Sequence, residues 1–313
     1  MSRRVVVTGA FSNIGAAAAE SLLERGDTVH TLTGRDAPEG TPITRADLRF
    51  DHDHLLEQLE GADALVNTYW IRLPMAGQTF EGAVENAHTL FKAARAAKVG
   101  RVVHVSVSNA PNGTNLGYYR GKAKMERLLA ETGLPHTILR PTLVLSERDI
   151  LTSNIVWLLR QLPVFLLPKG GTARLQPILL PEAGQLIADA VGETENRIGD
   201  LAGPEVYTFR EYLELLCESC GLRRLLLPAP NGLALLATRV MGWLLSDVIL
   251  SREELLGLQQ ELLLSHETPA GKASVRAWLL KNGSLLGRRY LNDQKRHFGE
   301  RRKIALSPGR LGA

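Results

Sequence analysis

A short run of valines followed by a glycine turn restricts the fold more than any other stretch of this chain. Residues 5–7 have the β-branched composition of a strand buried on both faces, and Gly9 ends that strand. The Ala-rich residues 14–25 predict a helix that stops at Gly26, and residues 28–33 predict a second strand. The result is a βαβ unit. Its first turn directs backbone N–H groups and the positive end of a helix at one place, which suits a phosphate.

The spacing within this turn indicates a dinucleotide site with one departure. A dinucleotide fingerprint has glycine at three places, and here they hold Gly9, Ser12 and Gly15. A Cβ at Ser12 would displace the pyrophosphate, although its hydroxyl could donate to a phosphate. The alternative is a plain helix start, capped by Ser12 or Asn13, that binds nothing. We favour the nucleotide site because a strand precedes the turn and a helix follows it. The predicted cofactor contacts in the turn are Gly9, Phe11, Ser12, Asn13, Ile14 and Gly15.

The alternation of strands and helices continues beyond this unit. Further strands are predicted over residues 42–46, 62–67, 101–106 and 136–139, and helices over 52–59, 77–98 and 117–132. Strands separated by helix-length segments indicate an α/β fold, a doubly wound parallel Rossmann sheet with helices on both faces. Ligands of such sheets bind at the carboxyl ends of the strands. Beyond the glycine turn, the candidate residues at these ends are Arg35, Asp47, Leu48, Asn67, Ser106, Ser108 and Pro141.

The end of the second strand bears on the choice of cofactor. An acidic residue there binds the ribose of NAD, whereas an arginine suits the 2′-phosphate of NADP. This chain has Thr33, Gly34 and Arg35 at that place, and Asp36 only afterwards. A guanidinium pairs well with a phosphate, so we predict NADP, with NAD as the alternative. The competing interpretation is a surface arginine in a turn.

Tyr118 and Lys122 are the candidate catalytic residues. They are four residues apart on a predicted helix and so share one face. A free phenol has a pKa near ~10, and a neighbouring ammonium favours the phenolate, so the pair could exchange a proton near neutral pH. A third hydrogen-bond donor is needed to orient the substrate oxygen. We predict Ser108 in that role, with Ser106 as second choice. The alternative is an ordinary exposed helix start.

Six segments of the chain match the motifs of a known superfamily. They are TGAFSNIG (8–15), ADL (46–48), VVHVSVS (102–108), YYRGKAKME (118–126), LRPTLV (139–144) and RLQPILLPEAGQLIADAV (174–191). With these segments the chain resembles the extended or atypical short-chain dehydrogenases/reductases over about its first 200 residues. The similar branch within that superfamily includes the NAD(P)H-binding accessory subunit of respiratory complex I.

The resemblance implies a role for each matching residue. Tyr118 would be the acid/base, Lys122 its activator and a ribose ligand, and Ser108 its partner. Gly9, Ser12 and Gly15 would meet the pyrophosphate, Arg35 the adenosine phosphate, Asp47 and Leu48 the adenine, and Pro141 the nicotinamide. The family usually has small residues over the cofactor where this chain has Asn67, Thr68, Tyr69 and Trp70.

Composition and charge indicate which class of protein this is and which partners it can be expected to have. The chain has 313 residues, 44% of them hydrophobic and 22% charged, which is typical of a globular protein. The two cysteines, Cys217 and Cys220, are interpreted as reduced and structural, and no further metal ligands cluster with them.

A strand and a glycine turn directly follow Arg3 and Arg4, so we expect no signal peptide and a cytoplasmic protein. The basic residues of 281–310 come without a nucleic-acid motif, so we expect a solvated tail and no nucleic-acid partner.

We expect a Rossmann domain over residues 1–145, with a return segment near 172–192. A smaller, mostly helical substrate lobe would follow over 146–300, and a basic tail over 301–313.

The most apolar stretch, 231–250, contains Arg239 and Asp247, so a transmembrane span is not predicted. A core or lid helix is favoured there over a membrane-surface helix, and peripheral membrane contact is not expected.

Three functions remain open at this point. The first is an NADP-dependent oxidoreductase acting on a hydrophobic carbonyl or alcohol. The second is an epimerase or dehydratase that uses the same hydride step. The third is a non-catalytic NADPH-binding module or redox sensor.

Overall fold

The computed structural model describes residues 2–75, 77–147 and 149–292 and divides into two compact units. The first unit comprises Met1–Ser146, Ala173–Phe209 and Leu256–Ala277; the second comprises Glu147–Thr172, Arg210–Leu255 and Trp278–Ala313. Both units are discontinuous in sequence, so neither coincides with one uninterrupted stretch of the chain.

Strands and helices alternate through the first two hundred residues. The strands are β1 Arg4–Thr8, β2 Thr28–Leu32, β3 Thr44–Ala46, β4 Ala64–Asn67, β5 Arg101–Val105, β6 His136–Pro141, β7 Leu143–Leu145, β8 Val164–Pro168, β9 Arg174–Leu175, β10 Pro177–Leu179, β11 Arg197–Leu201, β12 Tyr207–Thr208 and β13 Leu225–Ala229. The helices are α1 Asn13–Glu24, α2 His52–Leu59, α3 Phe80–Ala96, α4 Gly117–Glu131, α5 Ile150–Gln161, α6 Leu180–Ala190, α7 Phe209–Ser219, α8 Asn231–Leu245, α9 Arg252–Gln259 and α10 Val275–Asn282.

A seven-stranded sheet forms the centre of the first unit, with the order β11-β6-β5-β4-β1-β2-β3. Every neighbouring pair in it is parallel. The predicted fold class, an α/β Rossmann sheet with flanking helices, is confirmed. The strand order reverses between β1 and β4, and ligands of open parallel sheets bind beside such a reversal, at the carboxyl ends of the strands.

The valines of β1 belong to the cores on both faces of this sheet. Val5 and Val7 pack in one core with residues of α1 and α6, and Val6 packs in the other with residues of α2 and α3. On the first face the two helices approach closely, because a Cβ added at Gly184 of α6 would lie under 3.0 Å from the backbone of Ala17. The Ala-rich composition of α1 is thus explained by the helix that it packs against.

The strands between residues 163 and 179 do not join the central sheet. The segment 163–171 contains β8, which pairs in parallel with β13 some sixty residues later. Most of the return segment expected near 172–192 belongs to the first unit, which resumes at Ala173. Within it β9 pairs with β12 and β10 with β7, each in a separate two-stranded sheet.

The second unit contains its own buried polar contacts. The hydroxyls of Thr152 in α5 and Tyr212 in α7 lie 3.0 Å apart, and both residues are buried. Cys217 and Cys220 are free thiols. Burial raises the pKa of both, so neither has the character of a reactive thiolate.

Helix α8 covers most of the apolar stretch 231–250, where a core or lid helix was predicted. Among its described residues Ala234 and Gly242 are buried, and Leu233, Leu236 and Trp243 are exposed. These three exposed side chains do not belong to a core. Within the described residues no helix has both the length and the apolar content needed to cross a bilayer. The predicted basic tail, 301–313, lies outside the described residues.

Candidate cofactor-binding and catalytic site

The turn after β1 is closed by contacts among its own backbone atoms. Gly9 has a φ of +73°, which L side chains rarely adopt, and the N–H of Ser12 donates to the Gly9 carbonyl at 2.9 Å. A Cβ at Gly15 would lie under 3.0 Å from the carbonyl carbon and oxygen of Gly9. Glycine is thus required at both places, as the fingerprint predicts for the turn and for helix–strand packing.

Ser12 is accommodated because its side chain folds back into the turn. Its hydroxyl donates to the Gly9 carbonyl at 2.8 Å, and no side-chain hydrogen bond caps α1. The first intrahelical bond runs from Ala16 to Ser12, so the N–H groups of Asn13, Ile14 and Gly15 precede it, as at every helix start. The simple capping role considered for Ser12 is not what the structure has.

These features fit a bound diphosphate. The two glycines leave a backbone surface that a side chain would cover, and the start of α1 supplies N–H donors and a positive dipole end. Asn13 Oδ1 is buried with no hydrogen-bond partner in the part of the chain that the structure describes, so it could accept from a ligand hydroxyl. Phe11 and Ile14 are half-buried beside the turn, and Ile14 packs against the core of α1 and α6.

Asn67 supports this turn from beneath and does not present its side chain to a ligand. It is fully buried, and its Oδ1 accepts from the Thr8 hydroxyl and the Tyr69 N–H, both at 3.1 Å. Its Nδ2 donates to His104 Nδ1 at 3.1 Å. The side chain therefore joins the ends of β1, β4 and β5. The prediction that Asn67 contacts the cofactor stays a prediction, and the structure shows that its side chain is hydrogen-bonded within the protein.

Thr8 and Thr68 also lie at the glycine turn, although neither was among the predicted cofactor contacts. The Thr8 hydroxyl accepts from the N–H groups of Thr68 and Tyr69, and Thr68 Oγ1 donates to the Thr8 carbonyl at 2.5 Å. A Cβ on Gly9 or Gly15 would come within 3.5 Å of Thr68 Oγ1, so this threonine lines the glycine turn. The available signal was its position directly after a strand.

Two arginines lie at the ends of β2 and β3. Arg45 Nε donates to the carbonyl of Arg35 at 2.7 Å, and its guanidinium pairs with Asp47. The carbonyl of Asp47 is 2.9 Å from His54 Nε2, and Leu48 packs against the core of α2 and α3. Arg45 was not predicted. Its guanidinium, which is paired with Asp47, lies beside the Arg35 backbone, where the sequence analysis placed an adenosine phosphate.

Lys122 is buried inside the first unit. It is 3% exposed, and its Nζ donates to the carbonyl of Val105, the last residue of β5, at 2.8 Å. The same atom lies 5.1 Å from the centre of the Trp70 ring, a cation–π distance. Burial lowers the pKa of Lys122 to about 7, against an opposing effect of the Glu126 carboxylate.

His104 is a buried neighbour of this group. Burial, and then the charge of Lys122, hold the pKa of His104 well below its usual range. Because Asn67 donates to Nδ1, the neutral ring carries its proton on Nε2, which has no hydrogen-bond partner among the described residues. His104 is thus an uncharged side chain that is hydrogen-bonded to Asn67.

Tyr118 lies in the first turn of α4, one turn before Lys122, within an aromatic cluster. Its ring makes edge contacts with Trp70 and Phe80, with ring centres 5.7 Å and 6.1 Å away. Trp70 and Phe80 are themselves stacked, 7° from parallel at 5.6 Å. Tyr69 and Ile71 pack in the same cluster. A molecule that approaches Tyr118 from the side of Trp70 and Phe80 would contact their aromatic rings.

Neither serine supplies the predicted third donor. Ser108 is fully buried and gives its hydroxyl proton to the carbonyl of Leu262 at 2.6 Å. Ser106 gives its proton to Glu126 Oε1 at 2.5 Å. A hydroxyl has one proton, so in this arrangement both serines could only accept from Tyr118 or a substrate. The expected donor roles of Ser108 and Ser106 are corrected accordingly.

Glu126 and Arg140 form a buried ion pair next to these serines. Arg140 donates to both carboxylate oxygens, at 3.0 Å and 2.5 Å, and Glu126 is 5% exposed. Hydrogen bonding to Glu126 raises the pKa of Arg140. Pro141 follows Arg140 at the end of β6, is buried, and accepts from the Ser108 N–H at 2.9 Å. The pair was missed, although Glu126 follows Lys122 by four residues on one helix face.

The site thus combines a glycine turn, two arginines at the adjoining strand ends and a Tyr–Lys pair. A model of the NAD(P)H-binding family matches residues 9–156, which include all of these. Over these residues the chain is similar to the NAD(P)H-binding family. No cluster of metal ligands occurs among the described residues.

Two curated proteins are similar to part of this chain. The mitochondrial NADH dehydrogenase [ubiquinone] 1 alpha subcomplex subunit 9 of Arabidopsis thaliana is 25% identical over 198 residues, 60% of this chain and 49% of that protein. Sterol demethylase protein B of Methylococcus capsulatus is 32% identical over 178 residues, 48% of this chain and 54% of that protein. The chain spans about half the length of the curated relatives it matches. The predicted resemblance to the complex I subunit is confirmed.

Solved structures resemble this chain over more of its length. The NADPH-dependent quinone oxidoreductase of Escherichia coli, complexed with NADPH, has a TM-score of 0.71 at 19% identity, covering 90% of this chain and 98% of that one. At this identity the likeness shows the fold alone.

Proposed function

We propose that this protein is an NADPH-dependent oxidoreductase that acts on a hydrophobic carbonyl or alcohol. The observation that carries the proposal is the placement of Tyr118 and Lys122 one turn apart on α4, with Lys122 held at the carboxyl end of β5. The carboxyl ends of parallel strands are where ligands of this fold bind, so the pair stands where a substrate and a nicotinamide would meet.

The preference for NADPH rests on the charges at the ends of β2 and β3. Arg35 follows β2, and the guanidinium of Arg45 adjoins the Arg35 backbone. Guanidinium groups pair with a phosphate through charge-assisted hydrogen bonds. The 2′-phosphate of NADPH would lie between them, and its loss in NADH would remove that contribution to binding.

Tyr118 would move the proton in the proposed reaction. Bound NADPH would supply the hydride for reduction of the carbonyl carbon. The phenol oxygen of Tyr118 would give its proton to the carbonyl oxygen, which becomes a hydroxyl, and the protonated form of Lys122 would stabilise the phenolate left behind. Because the pKa of Lys122 is lowered to about 7, that stabilisation weakens as the pH rises through neutrality.

The aromatic cluster supports an apolar substrate. Trp70 and Phe80 make edge contacts with Tyr118, so a substrate oxygen that reaches Tyr118 brings its carbon skeleton beside their rings. The names of the similar proteins refer to a quinone, to ubiquinone and to a sterol, all of which are apolar. We therefore expect a ketone, quinone or alcohol on an apolar ring system.

The first test is binding. Titration of NADPH and NADH, followed by fluorescence, should show tighter binding of NADPH. Arg35→Ala and Arg45→Ala should each weaken NADPH binding about tenfold and leave NADH binding unchanged, as expected for loss of a charge-assisted hydrogen bond. Equal affinity for the two cofactors in the wild-type protein would contradict the NADP assignment.

The second test is turnover. Oxidation of NADPH would be followed with a panel of apolar ketones, quinones and aldehydes. Tyr118→Phe should lower kcat about 10² to 10⁴-fold with little change in NADPH affinity, since it removes only the proton donor. Tyr119→Phe, which alters the adjacent tyrosine, is the matched control and should retain turnover.

A second candidate is a non-catalytic NADPH-binding module. One observation in its favour is that Lys122 is enclosed between Trp70 and Val105. Another is that Ser106 and Ser108 donate their hydroxyl protons to groups of the protein and not to Tyr118 or a substrate. It predicts that NADPH binds, that no member of the panel oxidises it, and that Tyr118→Phe changes neither result.

A further inference from the structure

Glu126 and Lys122 lie one turn apart on the same face of α4, and both side chains are buried. Each is joined to the end of β5 by a hydrogen bond. Lys122 Nζ donates to the carbonyl of Val105, and Glu126 Oε1 accepts from the hydroxyl of Ser106, the next residue. The two charged side chains thus attach one helix face to consecutive residues at the carboxyl end of a central strand, where ligands of this fold bind.

Arg140, in β6, fixes the position of the Glu126 carboxylate. Its guanidinium donates to both carboxylate oxygens, at 3.0 Å and 2.5 Å, and the Ser106 hydroxyl donates to one of them. Such a bidentate pairing sets the geometry of the carboxylate as well as its energy. Because Glu126 is buried, water screens its charge little, so the charge acts on buried neighbours that it does not touch.

In the part of the chain that the structure describes, the other groups packed around Lys122 are neutral or positive. On β5 lies His104, which is uncharged, and after β4 comes the Trp70 ring, 5.1 Å from Nζ. The side chains that α3 buries are all apolar. One turn earlier on α4 is the Tyr118 phenol, and on β6 is the Arg140 cation. A negative charge that favours the lysine ammonium must therefore come from another side chain.

Glu126 supplies that negative charge. Burial lowers the pKa of Lys122, and the charge of the Glu126 carboxylate acts in the opposite direction. In the proposed reaction the protonated form of Lys122 stabilises the Tyr118 phenolate, so the reaction depends on this balance. The inference that follows rests on the proposed function for the use made of the ammonium.

We propose that Glu126 is a positioning residue of the Tyr118–Lys122 pair: its carboxylate, fixed by Arg140 and Ser106, holds Lys122 in the ammonium form at the end of β5. Glu126 acts through Lys122, so the role requires no contact with a substrate or cofactor. Removal of its charge should change the pH at which Lys122 loses its proton, which loss of a merely structural contact would not do.

The first measurement follows Lys122 itself and needs no substrate. The full chain, labelled with carbon-13 at lysine Cε, is titrated by NMR, and Lys122→Met identifies the signal. Glu126→Gln removes the charge and keeps an acceptor for Ser106, so it should lower the midpoint of the Lys122 titration by about one pH unit. Glu126→Asp keeps the charge and should restore a midpoint near that of the wild type. Glu131→Gln removes an exposed carboxylate at the end of α4, and this matched control should leave the midpoint unchanged.

A second variant serves if Glu126→Gln does not fold. Glu126→Met combined with Arg140→Met replaces the ion pair by apolar side chains of similar length, a change that buried pairs often tolerate. It should also lower the midpoint of Lys122, because the carboxylate is on the same helix face as the lysine. An unchanged or raised midpoint in Glu126→Gln, or in the double variant where Glu126→Gln does not fold, would overturn the proposal.

Turnover separates this inference from the proposed function. The proposed reaction predicts that kcat for NADPH oxidation falls as the pH rises through the Lys122 midpoint. In Glu126→Gln the fall should begin about one pH unit lower, so kcat at pH 8 should be about tenfold below that of the wild type, with little change in the KM for NADPH. A lowered Lys122 midpoint without wild-type turnover would support the role of Glu126 and refute the proposed reaction. Wild-type turnover with the same pH dependence in Glu126→Gln would overturn the role of Glu126.

Discussion

The indole of Trp70 lies against the α-carbon of Gly121. A Cβ at residue 121 would come under 3.0 Å from Trp70 Cη2, and Lys122, the next residue along α4, has its Nζ 5.1 Å from the Trp70 ring. The absence of a side chain at Gly121 thus allows Trp70 to cover the buried lysine and to reach Tyr118 with its edge. This one contact joins the end of β4 to the helix that carries the candidate catalytic pair.

We predict that Gly121→Ala destabilises the protein although alanine is the better helix former. The added Cβ would displace a rigid indole, and overpacking of this kind costs about 1–3 kcal/mol. Trp70→Leu should relieve the clash, so the double variant should be more stable than the two separate effects predict. Urea denaturation of the four proteins measures this coupling. Gly232→Ala, in α8, where a Cβ meets nothing within 4 Å, is the control and should not be destabilised. Strict additivity would contradict the prediction.

Gly15→Ala should destabilise the protein more than Gly121→Ala does, because its Cβ would clash with backbone atoms. The atoms in the way are the carbonyl carbon and oxygen of Gly9, which are held by the turn itself. We expect a loss of about 3 kcal/mol in the free energy of unfolding and a loss of NADPH binding. Thermal unfolding and fluorescence titration measure the two effects. Gly34→Ala places a Cβ in open space and should leave the unfolding temperature unchanged; a Gly15→Ala protein that binds NADPH normally would refute the assignment of this turn.

The buried Lys122 predicts how stability depends on pH. Its pKa falls from 10.5 to about 7 on folding, so between these values the unfolded chain holds a proton that the folded chain has lost. The free energy of unfolding should therefore rise with pH in this window, by about 1.4 kcal/mol per unit from this residue. Below pH 7 both states are protonated, and the folded state retains the cost of a buried ammonium.

Lys122→Met should remove this dependence. The variant should be more stable than the wild type at pH 6, and the difference should shrink as the pH rises towards 10. Urea denaturation of both proteins at several pH values tests it, with Lys92→Met, at an exposed position of α3, as control. Parallel curves for Lys122→Met and the wild type would show that the folded chain holds the lysine proton throughout.

The Glu126–Arg140 pair predicts an asymmetric response to substitution. Arg140→Met leaves a carboxylate with 5% exposure without its partner, and breaking a buried pair in this way costs about 3–5 kcal/mol. Glu126→Gln added to Arg140→Met removes the charge and still accepts from Ser106, so it should restore at least half of the loss. Chemical denaturation compares the two. A double variant as unstable as Arg140→Met alone would mean that the loss comes from packing of the arginine.

The alternating elements of the first 145 residues were predictable because the signals were local. The valines of β1 and the spacing of Tyr118 and Lys122 depend only on neighbouring residues, and the structure confirms the strand and the shared helix. The strand β8 was not predictable, because flanking prolines indicate a loop and its partner β13 lies about sixty residues away.

The finer geometry of the site depends on contacts that no local pattern encodes. The proton of Ser108 goes to the carbonyl of Leu262, which is 154 residues away in the chain. Likewise, the covering of Lys122 depends on Trp70, which follows a different strand. Residue types therefore indicated the kind of site. The acceptor to which each hydroxyl donates its proton could be identified only from the folded structure.

The last strand of the central sheet has a consequence for biosynthesis. β11 pairs with β6, yet the ribosome adds it some fifty-six residues after β6 has been made, once β7 to β10 are complete. Until then the backbone groups of β6 that pair with β11 form an open edge that can recruit other nascent chains. A truncated product that stops before residue 197 would keep that edge permanently, and so would aggregate even though its glycine turn and Tyr–Lys helix were already translated.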